Sequence, residues 1–262
     1  MKKIIAITAV GATAVLLLAG CASSPSTPAP SKTEASLSGS IVVDAASSLT
    51  GIFDQIATGF KKAHPGTTIT FNYGASSALA TSITSGAPVD LFASASPATM
   101  KTVTDAKLAK GTPTTFVSNT LEIAVPAGNP GKITGLADFA DASKKIAICA
   151  PEVPCGAAAV TIFGLTGIKD KPDTLEPDVK TALTQVSLGE VDAALVYHTD
   201  VLAAGSKVEG IEFPEAQKAI NNYLIAPIST SHNPKLAAAF EKYILSPAGT
   251  AILKKAGFTI IG

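Results

Sequence analysis

Short apolar runs alternate with segments of helical periodicity along most of this chain. The apolar runs predict strands at 40–43, 68–73, 89–94, 121–125, 146–149, 193–197, 211–213 and 223–225. The helical segments lie at 77–85, 97–107, 157–163, 179–188, 199–204, 235–245 and 247–256. The clearest helix precedes these and stops before His64-Pro65-Gly66; its apolar positions are Leu49, Ile52, Phe53, Ile56 and Phe60. Strands that alternate with helices predict an α/β fold.

The first residues have the features of an export signal. Met1-Lys2-Lys3 is basic, and the apolar run 4–19 is too short to span a bilayer. The run closes with Leu18-Ala19-Gly20-Cys21, which resembles a bacterial lipobox. We therefore expect a signal peptide at 1–20 and a diacylated N-terminal Cys21. An uncleaved anchor, or a plain secretory signal with a chance cysteine, is the alternative.

The segment after Cys21 is rich in Ser, Pro, Ala and Thr. Such a composition buries too little apolar surface to offset the entropy of ordering, so 21–39 is interpreted as a lipidated cysteine followed by a disordered tether. The remaining chain, 40–262, is long enough for one large domain or two modest lobes.

Composition excludes some classes of function. Lys plus Arg and Asp plus Glu both total 20, so no basic field favours nucleic acid and no acidic field favours cations. The hydrophobic fraction of 47% is sufficient for a core, and beyond the signal no segment is long and apolar enough for a second membrane span.

Two cysteines remain after Cys21. Cys149 and Cys155 are close in sequence, and an even pair in an exported protein favours a disulfide. Metal ligation by the two thiols is the alternative, but no further Cys or His lies nearby to complete a tetrahedral site.

The junctions between strands and helices suggest an anion site. Strand 41–43 leads through Asp44-Ala45-Ala46-Ser47-Ser48 into a helix, and strand 69–73 leads through Gly74-Ala75-Ser76-Ser77 into another. In an α/β sheet, ligands bind at the carboxyl edge, where small residues allow close approach and helix starts offer unpaired N–H groups. Similar helix starts follow Pro154-Cys155 and Asp178, and a strand ends at Tyr197. A serine before a helix is often only an N-cap, so the conjunction carries the argument.

These residues resemble the periplasmic molybdate-binding proteins of ABC transporters over about 40–262. The matching segments are Val43-Asp44-Ala45-Ala46-Ser47-Ser48-Leu49, Tyr73-Gly74-Ala75-Ser76-Ser77-Ala78-Leu79-Ala80, Gly86-Ala87-Pro88-Val89-Asp90-Leu91-Phe92, and the end from Ser246-Pro247-Ala248 to Gly257-Phe258. The third segment is the most specific. The family's fold is a type II periplasmic binding protein, a two-lobed α/β clamshell with two crossover strands.

The resemblance implies a set of oxyanion ligands. Ser48 and Ser76 would donate through hydroxyl and backbone N–H, Cys155 and Val179 through backbone N–H, and Tyr197 through its hydroxyl. The ligand would be bound without direct metal ligands and without a cofactor. Asp44 departs from the family, because it places a carboxylate where an apolar or aromatic residue is common.

The resemblance also implies an organisation and a role. Lobe 1 is expected at 40–120 plus 226–262 and lobe 2 at 121–225, with crossings near 118–121 and 223–227. The expected protein is a monomeric, non-enzymatic receptor, anchored by lipid at the extracytoplasmic face of the membrane. It would deliver molybdate or tungstate to an ABC transporter permease.

Other functions remain open at this stage. A receptor for sulfate, phosphate or ferric iron is the nearest rival, although iron would need more clustered ligands than Tyr197 and Tyr223 supply. A serine hydrolase could use Ser48 or Ser76 with a histidine, but the chain has no G-x-S-x-G elbow. A surface adhesion lipoprotein would explain the anchor and tether but not the serine-started helices.

Overall fold

A computed structural model describes residues 37–261. The expected signal peptide, Cys21 and most of the tether lie outside the described residues. Ser38 and Gly39, which we expected in the tether, are already in the first strand and pair with Gly66 and Thr67.

The described chain forms strands and helices in alternation. The strands are β1 (Ser38–Ala46), β2 (Gly66–Gly74), β3 (Leu91–Ser94), β4 (Thr114–Asn119), β5 (Leu121–Pro126), β6 (Ile146–Cys149), β7 (Thr174–Glu176), β8 (Ala193–Tyr197), β9 (Val208–Ile211), β10 (Asn221–Pro227) and β11 (Thr259–Ile260). The α-helices are α1 (Ile52–Ala63), α2 (Ser76–Thr84), α3 (Pro97–Asp105), α4 (Pro154–Thr166), α5 (Val179–Ser187), α6 (His198–Ala204), α7 (Pro234–Ile244) and α8 (Pro247–Lys255). Short 3₁₀ turns lie at Ser47–Leu49, Leu136–Ala140, Gly205–Lys207 and Pro214–Lys218.

The strands form two sheets, as the predicted clamshell requires. The larger has the order β11-β4-β10-β3-β1-β2, with β1 parallel to β2 and β3 and with β10 antiparallel to β3 and β4. The smaller has the order β7-β6-β8-β5-β9, with β6 parallel to β7 and β8. This arrangement is the two-lobed α/β fold of periplasmic binding proteins.

Each lobe has its own core. Phe53, Phe60 and Phe240 are fully buried against the larger sheet, and Phe139 is fully buried against the smaller. Since both sheets are covered by apolar helix faces, each lobe is a rigid support for the loops at its edge. Within 37–261, no helix is long and apolar enough to cross a membrane.

Thr120 alone separates β4 of the larger sheet from β5 of the smaller, so the first crossing lies there. The chain returns between β9 and β10. Because β10 pairs with β4 from Asn221 onward, sheet membership puts the second crossing before residue 221 rather than near 223–227. The lobe boundaries remain a proposal, and on this basis we would end lobe 2 near residue 220.

The first helix differs from its prediction. We expected it to include Leu49, but Ser47–Leu49 forms a 3₁₀ turn and α1 begins at Ile52. Gly51 interrupts the two with a φ of 76°, a conformation that favours glycine. Ser48 therefore lies in the turn between β1 and α1, and the apolar positions Ile52, Phe53, Ile56 and Phe60 of α1 are buried as expected.

Candidate functional site

One cavity is lined by the residues that the sequence suggested as ligands. Its walls come from both lobes and comprise Ala46, Ser47, Ser48, Gly74, Ala75, Ser76, Ala95, Val153, Pro154, Cys155, Asp178, Val179 and Tyr197. All five expected ligand residues are therefore side by side. The cavity volume is only about 10 Å³.

The larger lobe contributes the two serines. Ser48 lies in the 3₁₀ turn after β1, and Ser76 is the first residue of α2 after β2. The two side chains are buried, with 2% and 1% exposure. Ser76 Oγ accepts a hydrogen bond of 2.9 Å from the Ala95 N–H, and Ser48 Oγ lies 2.8 Å from the hydroxyl oxygen of Tyr223. Each serine is thus held by a partner behind it.

The smaller lobe contributes two helix starts. Cys155 is the second residue of α4, and Val179 is the first residue of α5. Backbone N–H groups in a first helical turn have no intrahelical acceptor, so both amides can donate outward. Asp178 caps α5 by accepting from Lys180 N at 2.8 Å and Thr181 N at 3.1 Å, so its carboxylate is already engaged.

The start of α4 is closely packed. A disulfide joins Cys149 at the end of β6 to Cys155, closing the loop before the helix. The neighbouring Gly156 has no room for a side chain, because an added Cβ would lie 1.9 Å from the carbonyl oxygen of Ala150. These two features fix the direction of the first amides of α4.

Tyr197 is the most informative residue of the site. It ends β8 with 1% exposure, and its hydroxyl oxygen has no hydrogen-bond partner among residues 37–261. Burial, followed by the nearby Tyr223 and Asp200, raises the pKa of Tyr197 well above its usual value, so the group stays a protonated donor. An unpaired buried hydroxyl costs about 1–3 kcal/mol, which indicates a group kept for a ligand.

The charges beside Tyr197 are already paired. Asp200 is fully buried, accepts from the Tyr197 N–H at 3.2 Å and lies 2.7 Å from Nζ of Lys180. Burial raises the pKa of Asp200, and the Lys180 ammonium opposes that rise. Lys180 is therefore held by a carboxylate and is not among the residues that line the cavity.

Asp44 does not enter the site. Its buried carboxylate accepts a hydrogen bond of 2.8 Å from Asn72 Nδ2, its neighbour in register on β2, and it is not among the lining residues. Burial raises the pKa of Asp44, and the bond from Asn72 opposes the rise. The departure from the family pattern thus leaves the cavity without a free carboxylate from β1.

Asn221 was not expected from the sequence and bridges the lobes behind the cavity. Its amide Nδ2 donates to the carbonyl oxygens of Ala95 at 3.1 Å and Pro154 at 3.4 Å, which belong to different lobes. Asn119 makes a second bridge, from Nδ2 to Thr199 Oγ1 at 2.8 Å. Residues of both lobes thus meet around one small cavity.

A larger cavity, about 730 Å³, lies beside the first crossing. Two glutamates, Glu122 and Glu212, line it, and Glu122 pairs with His198 Nδ1 at 2.7 Å. Carboxylates are hydrogen-bond acceptors and repel an anion. The small cavity has one carboxylate among its lining residues, Asp178, and that group already accepts from the first amides of α5. Size alone therefore does not identify the site.

The small cavity suits an anion that only accepts hydrogen bonds. It offers serine hydroxyls, a phenol and helix-start amides, and among 37–261 no cluster of His, Cys, Asp or Glu could hold a metal ion. No histidine lines it, so a serine there has no general base beside it.

The sequence profile of the bacterial extracellular solute-binding proteins matches residues 41–259. The chain belongs to this family. Its members bind solutes outside the cytoplasm, which makes this an extracytoplasmic protein and confirms the resemblance drawn from the sequence.

Individual relatives agree with this assignment. The molybdate-binding protein ModA of Mycobacterium tuberculosis is 42% identical over 84% of this chain and 84% of its own length. A putative ABC transporter substrate-binding lipoprotein of Bacillus subtilis, YvgL, is 34% identical, with 94% and 95% covered. The periplasmic molybdate-binding protein of Azotobacter vinelandii superposes with a TM-score of 0.74 at 23% identity over 85% of this chain and 100% of that one, which supports the fold.

Proposed function

We propose that this protein captures molybdate, or the nearly identical tungstate, and delivers it to the permease of an ABC importer. The Tyr197 hydroxyl carries the proposal, because it has no hydrogen-bond partner in the described part of the chain and lies buried on a cavity shared with Ser48, Ser76 and two helix starts. The name and identity of the mycobacterial relative support the choice of ligand. The proposed ligand residues are Ser48, Ser76, Cys155, Val179 and Tyr197.

The donors account for selectivity. A fully deprotonated dianion is only an acceptor, so hydroxyl and amide donors can satisfy its oxygens without a lysine or arginine. Each hydrogen bond to a charged partner contributes about 1.5–3 kcal/mol, and several can offset desolvation. Phosphate carries a proton at neutral pH, and a pocket of donors leaves its hydroxyl unpaired. Sulfate differs from molybdate in size alone.

Binding would couple to lobe movement. The walls of the cavity come from both lobes, so we expect the lobes to part when an oxyanion enters or leaves. Since Ser48 and Ser76 belong to one lobe and Val179 and Tyr197 to the other, a small hinge rotation changes the volume without breaking either core.

The location follows from the first residues. We propose that Cys21 is lipidated and anchors the protein to the extracytoplasmic face of the membrane, with the segment up to about residue 37 as tether. The Bacillus subtilis relative is named a lipoprotein, which supports the anchor. The protein would act as a monomer that binds without catalysis.

Calorimetry of the domain from residue 36 with molybdate, tungstate, sulfate and phosphate tests the proposal. Molybdate and tungstate should bind tightly, sulfate weakly and phosphate not measurably. Ser48→Ala and Ser76→Ala should each weaken molybdate binding roughly 10- to 150-fold, the equivalent of one charged hydrogen bond. Ser82→Ala, an exposed serine on the same helix as Ser76, is the control and should bind normally. Preference for phosphate would refute the ligand assignment.

A further inference from the structure

Tyr223 lies directly behind one of the proposed ligand serines. It is on β10, fully buried, and its hydroxyl oxygen is 2.8 Å from Ser48 Oγ although the two residues are 175 positions apart. It does not line the cavity, so it would not touch the anion. Its ring packs edge-on against Phe116, Tyr197 and Phe258, which fixes the position of the hydroxyl.

The number of protons determines the direction of this bond. Two hydroxyls that bond to each other hold two protons, and one proton lies between them. The second proton points away from the pair, either from Ser48 into the cavity or from Tyr223 toward another acceptor. Tyr197, the nearest hydroxyl to Tyr223, has no hydrogen-bond partner within 37–261, so it does not accept that proton.

The surroundings keep Tyr223 protonated. Burial raises its pKa above the usual value, and the hydrogen bond with Ser48 only partly opposes this. Asn119 makes no hydrogen bond with the Tyr223 hydroxyl: its oxygen accepts from the Thr120 N–H at 3.1 Å, and its Nδ2 donates to Thr199 Oγ1 at 2.8 Å. A phenol proton turned away from Ser48 would be buried without an acceptor among residues 37–261, which costs about 1–3 kcal/mol. Ser48 Oγ is therefore the acceptor left for the phenol, and the proton of Ser48 points to the cavity.

Ser76 is arranged in the same way. The Ala95 N–H is an unambiguous donor to Ser76 Oγ at 2.9 Å, so the proton of Ser76 is also free for the cavity. One serine is oriented by a backbone amide and the other by a phenol. In both arrangements the serine oxygen accepts from behind, and its proton is left to donate into the cavity.

We propose that Tyr223 is a positioning and specificity-determining residue, which makes Ser48 a donor and so favours oxyanions without a hydroxyl over those that carry one. The inference rests on the proposed function, since it concerns the same site. Without the phenol proton, both lone pairs of Ser48 Oγ are free, so Ser48 could accept from a ligand hydroxyl and discrimination against protonated anions would fall.

The test is a double-mutant cycle with Tyr223→Phe and Ser48→Ala, read by calorimetric affinity for molybdate and for inorganic phosphate. Tyr223→Phe keeps the ring. We expect it to weaken molybdate binding about tenfold, because Ser48 loses the partner that orients its hydroxyl. The molybdate-to-phosphate affinity ratio should fall by a similar factor. In the Ser48→Ala background the same change should alter molybdate affinity less than about twofold. Where binding is too weak for calorimetry, the molybdate-induced shift in melting temperature replaces it.

A merely structural role predicts a different result, because a loosened fold weakens all ligands equally and does so with or without the Ser48 hydroxyl. Tyr243→Phe on α7 is the matched control and should change neither affinity nor ratio. Equal losses in both backgrounds, or wild-type behaviour of Tyr223→Phe while the wild type binds molybdate, would overturn this inference alone. A wild type that binds no oxyanion would overturn the proposed function and this inference with it.

Discussion

Removing the Tyr197 hydroxyl should have opposite effects on stability and on binding. Tyr197→Phe deletes one oxygen that is buried and has no hydrogen-bond partner within residues 37–261. Leaving such a group unpaired costs about 1–3 kcal/mol, so the ligand-free variant should be more stable by about that amount. For a domain of this size, each kcal/mol raises the melting temperature by about 2–4 °C.

Binding should change in the other direction. The hydroxyl is proposed to donate to a charged oxygen, a bond that contributes about 1.5–3 kcal/mol, so molybdate affinity should fall roughly 10- to 150-fold. Ligand-free stability is measured by urea unfolding at neutral pH and affinity by calorimetry.

Tyr223→Phe is the matched comparison for stability. Its hydroxyl is equally buried but hydrogen-bonded to Ser48, so its removal should destabilise the ligand-free protein by about 1 kcal/mol. The two tyrosines differ mainly in whether the hydroxyl has a partner. If Tyr197→Phe loses stability as Tyr223→Phe does, or binds molybdate with unchanged affinity, the assignment of Tyr197 as a donor reserved for ligand is refuted.

Three further changes probe the supports of the site. Gly156→Ala should lower stability by about 1–3 kcal/mol, because the site is overpacked, and should also lower molybdate affinity. Gly164→Ala in the same helix has open space at the Cβ position and should lower neither. Equal effects of the two changes would contradict the packing argument. Replacing Cys149 and Cys155 together by alanine should cost about 2 kcal/mol from release of a short loop, measured by urea unfolding, and no loss would contradict the constraint on α4. Burial alone would raise the pKa of the Asp90 carboxyl. Hydrogen bonds from Ser231, Val42, Asn233 and His232 outweigh burial and lower that pKa below 3.8. Asp90→Asn should therefore cost stability at neutral pH, and the difference from wild type should shrink as pH falls below 3.8 through the depressed pKa of the native state; a difference that does not vary with pH would refute this.

The fold was largely predictable because local signals were strong. Helix starts at Pro97, Val179 and Pro247 were predicted at the residue where they occur, since proline or an aspartate cap marks the first turn. The strands β4, β7 and β11 were missed. β4 contains mainly Thr, Ser and Asn at its ends, and the other two are short edge strands that depend on a neighbour for their conformation.

The site was predictable in its parts but not in its supports. Small residues and serines after strands mark a ligand edge in any α/β sheet, and these gave Ser48 and Ser76. The partner of Ser48, by contrast, lies 175 residues away, and only the pairing of β10 into the larger sheet brings it there. The orientation of Asp44 was also beyond the sequence, because it depends on the register that places Asn72 beside it.

The most direct test of the account is a crystal structure of the molybdate complex, with the molybdenum located by its anomalous scattering. The account predicts one strong peak between the two lobes, with oxygens at hydrogen-bonding distance, about 2.7–3.0 Å, from the donors of Ser48, Ser76, Cys155, Val179 and Tyr197. A peak in the larger cavity beside Glu122, or beside a lysine elsewhere on the surface, would contradict it.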